Sequence, residues 1–385
     1  MSRASPAVLW CFLFGNFVIG FGVLMVPGSL NDIRHDLQIS VTQAGFLITA
    51  GSVLMCLSAP IFATVLAKYD RRKLLSMVML WYGLAHALCT LMPDFEKILW
   101  IRVLAMVAPA IFTPQAAACI GQLASPAHRG RAITFVFIGW STASVLGMPA
   151  AAWIGEIYGW RVVFGLLCTL ACVSATWVWL VLPQGLSPPV MSMTAWRQTL
   201  GSLPLMMTVG VTVLSASGQF VLTAYFAPYF KQSLNTSPEA LSLLFGCFGA
   251  CGLIGNMVIS RHIDRLGADK AVNLCLGLMS ISLLIWSLGS NVWLAALILV
   301  PWGLGMFACN SAQQARLIQL APALASGSVA LNTSAIYLGQ AIGAAGGGWL
   351  ISQHAMDKLH WFGWTGVLLA LALSFQAARV AKRVA

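Results

Sequence analysis

Acidic side chains are scarce in this chain. Ten Asp and Glu are spread over 385 residues, and all lie between long apolar runs or at their ends: Asp32, Asp36, Asp70, Asp94, Glu96, Glu156, Glu239, Asp264, Asp269 and Asp357. No His, Asp or Glu residues gather at one depth, which removes the usual basis for a membrane-embedded enzyme. A Gly-x-x-x-x-Gly-Lys phosphate loop is also missing, so primary ATP-driven transport is disfavoured. Charge of both signs is low: 8% of residues are charged, against roughly 25% in soluble domains. With 59% hydrophobic residues, a soluble protein could not cover its own surface. Lipid solves that problem.

What is present is a series of apolar runs, each near the roughly 20 residues that cross a hydrocarbon core. Hydropathy and breakers place six spans near 8–30, 43–66, 74–92, 98–121, 132–155 and 161–182. Six more are expected near 200–229, 240–260, 271–289, 293–315, 326–350 and 360–379. The expected fold class is an all-α membrane protein of twelve transmembrane helices. It divides into an N-terminal six-helix bundle at 1–182, a cytoplasmic linker at 183–199 and a C-terminal six-helix bundle at 200–385. The first run lacks a small-residue cleavage pattern and reads as a retained helix, not a signal peptide. The ten Cys all fall inside spans, and packing is favoured over a metal site or a disulfide framework.

The net charge of +11 forms no continuous basic face, so no nucleic-acid partner is expected. Lys and Arg instead divide unequally among the gaps, roughly fifteen on the side of both termini against five on the other. Both termini are therefore expected in the cytoplasm, with the chain multi-pass in a bacterial cytoplasmic (inner) membrane. The halves also echo each other. Lys68 to Lys73 closes span 2 as Asp264 to Lys270 closes span 8, and Ala143 to Gly147 in span 5 matches Ala335 to Gly339 in span 11. Both offsets are about 195 positions, as two similar halves around a central site would give.

From Ser125 to Phe164 the chain resembles the major facilitator superfamily, and more narrowly its drug and sugar efflux branch. Arg129-Gly130-Arg131-Ala132 resembles the cytoplasmic loop before span 5, and Gly139, Gly147 and Pro149 resemble the antiporter motif within it. Physically, the glycines permit close helix approach and Pro149 permits a bend. The 2–3 loop resembles the family's signature with departures. Ala63 and Ala67 replace a Gly and the helix-end Asp, Lys68 takes the Arg position, Asp70 replaces a second Gly, and Arg71 and Arg72 match. Its copy retains Asp264, Arg265, Gly267 and Lys270. The resemblance implies a conformational role for these residues, with Asp70 as a substitute for the lost Asp, and a monomeric state.

The resemblance also places Val23 where proton-coupled relatives often carry an acid, which weighs against simple carboxylate-driven antiport. Coupling candidates are Arg102, His86 and Asp32. Arg102 is read either as binding an anionic group or biasing a proton carrier, or as snorkelling from an outer helix end. His86 is read as a titrating group or as a hydrogen-bonded packing residue. Family resemblance makes spans 1, 4, 7 and 10 the cavity walls, with Asn16, Arg102, Gln115, Gln219, Tyr225, Trp302, Asn310 and Gln313 as candidates, joined by Asn332 and Tyr337 from span 11. Neutral amides and aromatic faces suit drug, sugar or nucleoside-like molecules; Trp302 can equally be an interfacial anchor or a packing residue. The leading reading is a secondary transporter exporting such a solute by alternating access, with protons as candidate counter-substrate. A uniporter or importer without proton coupling, and a transport-inactive membrane sensor, stay open. No cofactor is expected.

Overall fold

A computed structural model describes residues 5–66, 69–124, 129–186 and 193–384. They build twelve membrane-crossing spans around two large cores and one small one. Spans 1 to 6 are Pro6–Asp36, Val41–Val65, Arg71–Leu91, Phe95–Leu123, residues 129–158 and Trp160–Val181. A short linker helix, Met193–Gly201, precedes span 7, which consists of Leu203–Thr223 and Phe226–Leu234. Spans 8 to 12 are Pro238–Leu266, Ala268–Leu284, Val292–Leu320, Ala325–Ser352 and Leu359–Val384. Ten helices are individually long and apolar enough to cross a bilayer; the 17-residue span 9 and the glycine-rich span 11 complete the twelve.

Local chemistry sets the ends. Ser5 and Ser237 each cap a helix that opens with proline, Ser237 Oγ accepting from Ala240 N at 3.2 Å. Gly267, at φ +83°, joins spans 8 and 9, a conformation that L side chains rarely adopt. Span 1 continues beyond its expected end near residue 30 because its helix runs unbroken to Asp36, carrying Pro27 within it.

Three interruptions follow from prolines, each of which withholds an N–H from the carbonyl four residues earlier. Pro109 frees Ala105 O, and span 4 breaks at Met106. Pro228 frees Ala224 O, and span 7 breaks at Ala224 and Tyr225. Pro149 frees Val145 O, which lies within the π-turn Ala143–Gly147 of span 5.

One large buried core belongs chiefly to spans 1 to 6 and the other to spans 7 to 12, while Leu205, Val209, Leu317 and Ala335 form a small third cluster in the C-terminal half. Ala224, Tyr225, Tyr337 and Ala344 enter the first core, and Met148 and Ala152 the second. Those crossings mark where the halves interlock. Span 1 runs from the end of the bundle that carries the termini to the opposite, far end. Three polar links join the halves toward that far end. Thr42 Oγ1 donates to Gly348 O at 2.9 Å, Ser242 Oγ to Pro149 O at 3.3 Å, and Lys231 Nζ to Glu156 Oε1 at 2.7 Å.

The 2–3 turn is ordered by its signature residues. Asp70 caps span 3, accepting from Lys73 N at 3.1 Å, and also accepts from Gly185 N at 2.5 Å, so it ties the start of the linker to the N-terminal half. Buried Arg71 donates to Leu66 O and Tyr69 O, both at 2.7 Å, and Arg72 lies 4.7 Å over the Trp179 ring. Lys68 and the Asp264 side chain lie outside the described residues, and Arg265 is exposed.

Slight burial raises the Asp70 carboxyl, but the N–H groups of Lys73, Gly185 and Arg72 outweigh it and bring the group below its ordinary value. A lowered folded value adds stability that is fully present above the unfolded value of about 3.9 and is lost as pH falls through the folded one. Asp70→Ala is therefore expected to cost about 1 kcal/mol at neutral pH. In detergent melting curves its difference from wild type should shrink on acidification below about pH 4. A constant difference down to the acid limit would oppose this assignment.

Candidate functional site

Each half carries a hydrogen-bonded polar set on equivalent helices. In the N-terminal half, Thr113 Oγ1 of span 4 donates to Asn16 Oδ1 of span 1 at 2.8 Å, and Trp140 Nε1 of span 5 donates to Thr113 Oγ1 at 3.3 Å. In the C-terminal half, Thr212 Oγ1 of span 7 donates to Asn332 Oδ1 of span 11 at 2.6 Å, and Asn332 Nδ2 to Asn310 Oδ1 of span 10 at 3.2 Å. A shift of about 195 positions carries Asn16, Thr113 and Trp140 onto Thr212, Asn310 and Asn332. The polar sets obey the repeat seen in the loops. Gln313 extends the second set, its Nε2 donating to Thr208 O at 3.0 Å and Thr212 Oγ1 at 3.1 Å, while its Oε1 is buried without a partner.

Buried amides and hydroxyls persist in a low-dielectric interior when they bond one another. These sets meet that condition with neutral groups alone. Sequence reading named Asn16, Asn310, Asn332 and Gln313 but missed Thr113, Trp140 and Thr212. The repeat offset, applied to polar residues as well as loops, would have found them.

The other candidates are dispersed. Gln115 is buried in span 4. Gln219 spends its Nε2 on Ser215 of its own helix, and its Oε1 is buried without a partner. Trp302 is fully buried in an aromatic cluster, its ring 5.5 Å from Phe226, 5.7 Å from Trp286 and 5.9 Å from Phe248. Tyr225, in the break of span 7, donates to Ala344 O at 2.7 Å and leans on Gly45 of span 2, where a Cβ would come 2.1 Å from its hydroxyl. Tyr337 of span 11 is buried against the N-terminal core.

The motif glycines of span 5 meet span 1 directly. A Cβ at Gly139 would lie 2.2 Å from Leu13 O, and one at Gly147 would lie 2.7 Å from the Phe21 ring. Pro149 sits just beyond, with its carbonyl accepting from Ser242.

Arg102 is buried inside the N-terminal half. Its Nη1 contacts His86 Nε2 at 2.6 Å and its Nη2 donates to Gly22 O at 2.6 Å, while Nε has no partner. Guanidinium only donates, so His86 Nε2 is the acceptor. The ring proton then sits on Nδ1 and is donated to Tyr82 O at 2.7 Å. Both imidazole nitrogens are thereby occupied in the neutral form. Asp32 is elsewhere, accepting from the backbone N–H of Trp160 at the start of span 6, while Asp36 pairs with Arg161. Among the described residues, no group of three or more His, Cys, Asp or Glu could hold a metal ion.

Relatives and solved structures resemble the chain along nearly its full length. The inner membrane transport protein YdhP of Escherichia coli (strain K12) is 29% identical over 375 residues, covering 96% of each chain. A protein named "Probable sugar efflux transporter" from Helicobacter acinonychis (strain Sheeba) is 26% identical, covering 94% of this chain and 93% of its own. Among solved structures, a D-xylose-proton symporter superposes with TM-score 0.76 at 15% identity, covering 95% of this chain and 96% of that one. A bacterial homologue of the lysosomal transporter Spinster, in an inward-facing conformation, gives 0.74 at 17% identity and 98% coverage of both. At such identities the structures speak for the fold alone. The profile of the Major Facilitator Superfamily matches residues 12–209 and again 208–382. With twelve spans in two related halves and that match over nearly all of its length, the chain belongs to the Major Facilitator Superfamily.

Proposed function

We propose that this protein exports a small organic solute, of the drug, sugar or nucleoside-like kind, by alternating access between its two six-helix halves. The observation that carries the reading is the pair of repeat-related polar sets, Asn16–Thr113–Trp140 and Thr212–Asn310–Asn332, within halves linked toward one end. Neutral amides and hydroxyls match hydroxylated or amide-bearing solutes, and relatives named as sugar efflux transporters support that class. The excess of Lys and Arg on the termini side assigns that side to the cytoplasm, so the latched far end faces outward.

Driving force separates two versions. Exchange for protons fits the efflux branch. Transport without proton coupling is favoured because, among the described residues, no carboxylate is hydrogen-bonded into either polar set. Flux of a panel of sugars, nucleosides and neutral amphiphiles in proteoliposomes, with and without an imposed pH gradient, distinguishes them. A gradient-insensitive rate would end the antiport version, and no flux for any solute would oppose transport itself. Asn310→Ala is expected to raise KM by about 1–2 kcal/mol, a factor of roughly 5–30, with a smaller change in the maximal rate. An unchanged KM would remove Asn310 from the binding site.

A further inference from the structure

Arg102 carries a full positive charge in the interior of the N-terminal half, and the groups it bonds are neutral. Of the carboxylates at this end of the N-terminal half, Glu96 is exposed at the start of the same helix and four others are engaged elsewhere. Asp32 accepts from Trp160 N, Asp36 pairs with Arg161, Glu156 with Lys231, and Asp94 with Lys97. Facing the guanidinium are the Tyr82 hydroxyl, the Cys89 thiol and the Phe164 ring, 6.0 Å away. Buried Arg316 of the other half shows the contrast, because it is paired with Asp269.

Geometry also fixes where this charge sits. Nη2 is held on Gly22 O, and Gly22 lies about 9 Å along the axis of span 1 from Asn16. The guanidinium is thus anchored to the same helix that contributes Asn16 to the polar set. His86 keeps it there. As a neutral acceptor locked by its own Nδ1–H bond to Tyr82 O, His86 holds Nη1 without cancelling the charge.

We propose that Arg102 is a specificity-determining charge that excludes cationic solutes from the site, and that His86 is its positioning residue. The proposal rests on the transport reading above and narrows its solute to molecules without net positive charge. Two unit charges about 9 Å apart in a medium of effective dielectric near 20 disfavour each other by more than tenfold in binding. That factor exceeds the discrimination expected from a single neutral hydrogen bond of average strength. Lipophilic cations should accordingly be poor substrates, while neutral and anionic molecules of the same shape are accepted.

A matched pair of probes tests this: phenyl glucoside and its 4-trimethylammonium derivative, measured for flux and for equilibrium binding to the purified full chain. The expected result is a preference for the neutral probe in wild type. The ratio of cation to neutral should rise roughly tenfold in Arg102→Gln and stay put in Arg102→Lys, which keeps the charge. His86→Gln, whose amide oxygen can still accept, should preserve the ratio, whereas His86→Leu should raise it. Equal handling of both probes by wild type, or a ratio that Arg102→Gln leaves unmoved, overturns the filter. An unmoved ratio in His86→Leu removes His86 from it. If wild type transports neither probe, the binding ratio alone decides the filter, and the transport reading is judged on the full solute panel.

Discussion

Cysteines at Glu156 and Lys231, joined by a short bifunctional thiol reagent, are expected to lower flux at least tenfold. The two side chains meet at 2.7 Å across the halves at the far end, so thiols there lie within reach of a short spacer. The ion pair itself is partly exposed, with side chains 40% and 24% accessible. Such a pair is worth only about 0–1 kcal/mol. Breaking it with Glu156→Gln should therefore shift the balance of states modestly, by a factor of about 5 at most. A covalent bridge differs in kind, because a seam that cannot part removes one of the two states that alternating access requires. The ten native cysteines are all free, so a cysteine-free background is needed. Full flux after complete cross-linking would mean that this end does not open during transport, and would sink the alternating-access reading. Either cysteine alone, treated identically, controls for the reagent.

Gly139→Val is the second large effect. The nearest atoms to a Cβ at this position are backbone, Leu13 O at 2.2 Å and Phe17 N at 2.7 Å. A flexible side chain could swing aside; a helix backbone cannot. Spans 1 and 5 would have to separate, and that motion pulls on Asn16, whose amide reaches Val136 O of span 5 at 3.4 Å and holds Thr113. Overpacking of an ordinary core costs about 1–3 kcal/mol, and contact with backbone puts this case at or above the upper end. The expected outcome is a lowered melting temperature in detergent and flux reduced more than tenfold in the folded fraction. Gly165→Ala provides the contrast, since nothing lies within 4 Å of its added carbon. Equal effects at the two positions would mean that close approach of spans 1 and 5 is not what Gly139 supplies.

Much of the architecture was written in one-dimensional pattern. Each span is recognised by its own apolar length. The repeat of about 195 positions anticipated two related halves. The bend expected at Pro149 coincides with the π-turn of span 5. The breaks of spans 4 and 7 were not anticipated, because Pro27, Pro60, Pro114 and Pro301 sit within unbroken helices and a proline alone does not mark a break. Boundaries were less legible. Span 1 extends to Asp36 and span 8 to Leu266, since helices continue beyond the hydrocarbon as long as their backbone groups stay paired.

Side-chain partnership was not legible, for a physical reason. Hydropathy is a sum over one helix, whereas a hydrogen bond between helices depends on how each is rotated and how closely its backbone approaches the next. Arg102 illustrates this. The sequence left open binding of an anionic group, biasing of a proton carrier and snorkelling; the partners that packing gives it, His86 and Gly22 O, were not foreseen. Trp302, with an interfacial anchor among its readings, lies in the aromatic cluster of the C-terminal half. Tyr225, expected on a cavity wall, does line a small cavity with Thr42 and Gly348, but its close approach to Gly45 and its bond to Ala344 O were not foreseen. By itself the sequence determined the membrane class, the twelve spans and the two-fold repeat, because those depend on composition and short-range covalent order. Only the tertiary structure decided which polar groups meet, which end of the bundle is latched and which positive charge lies buried beside neutral partners. Each of these is a relation between helices far apart in sequence, set by rotation and close approach that no single helix encodes.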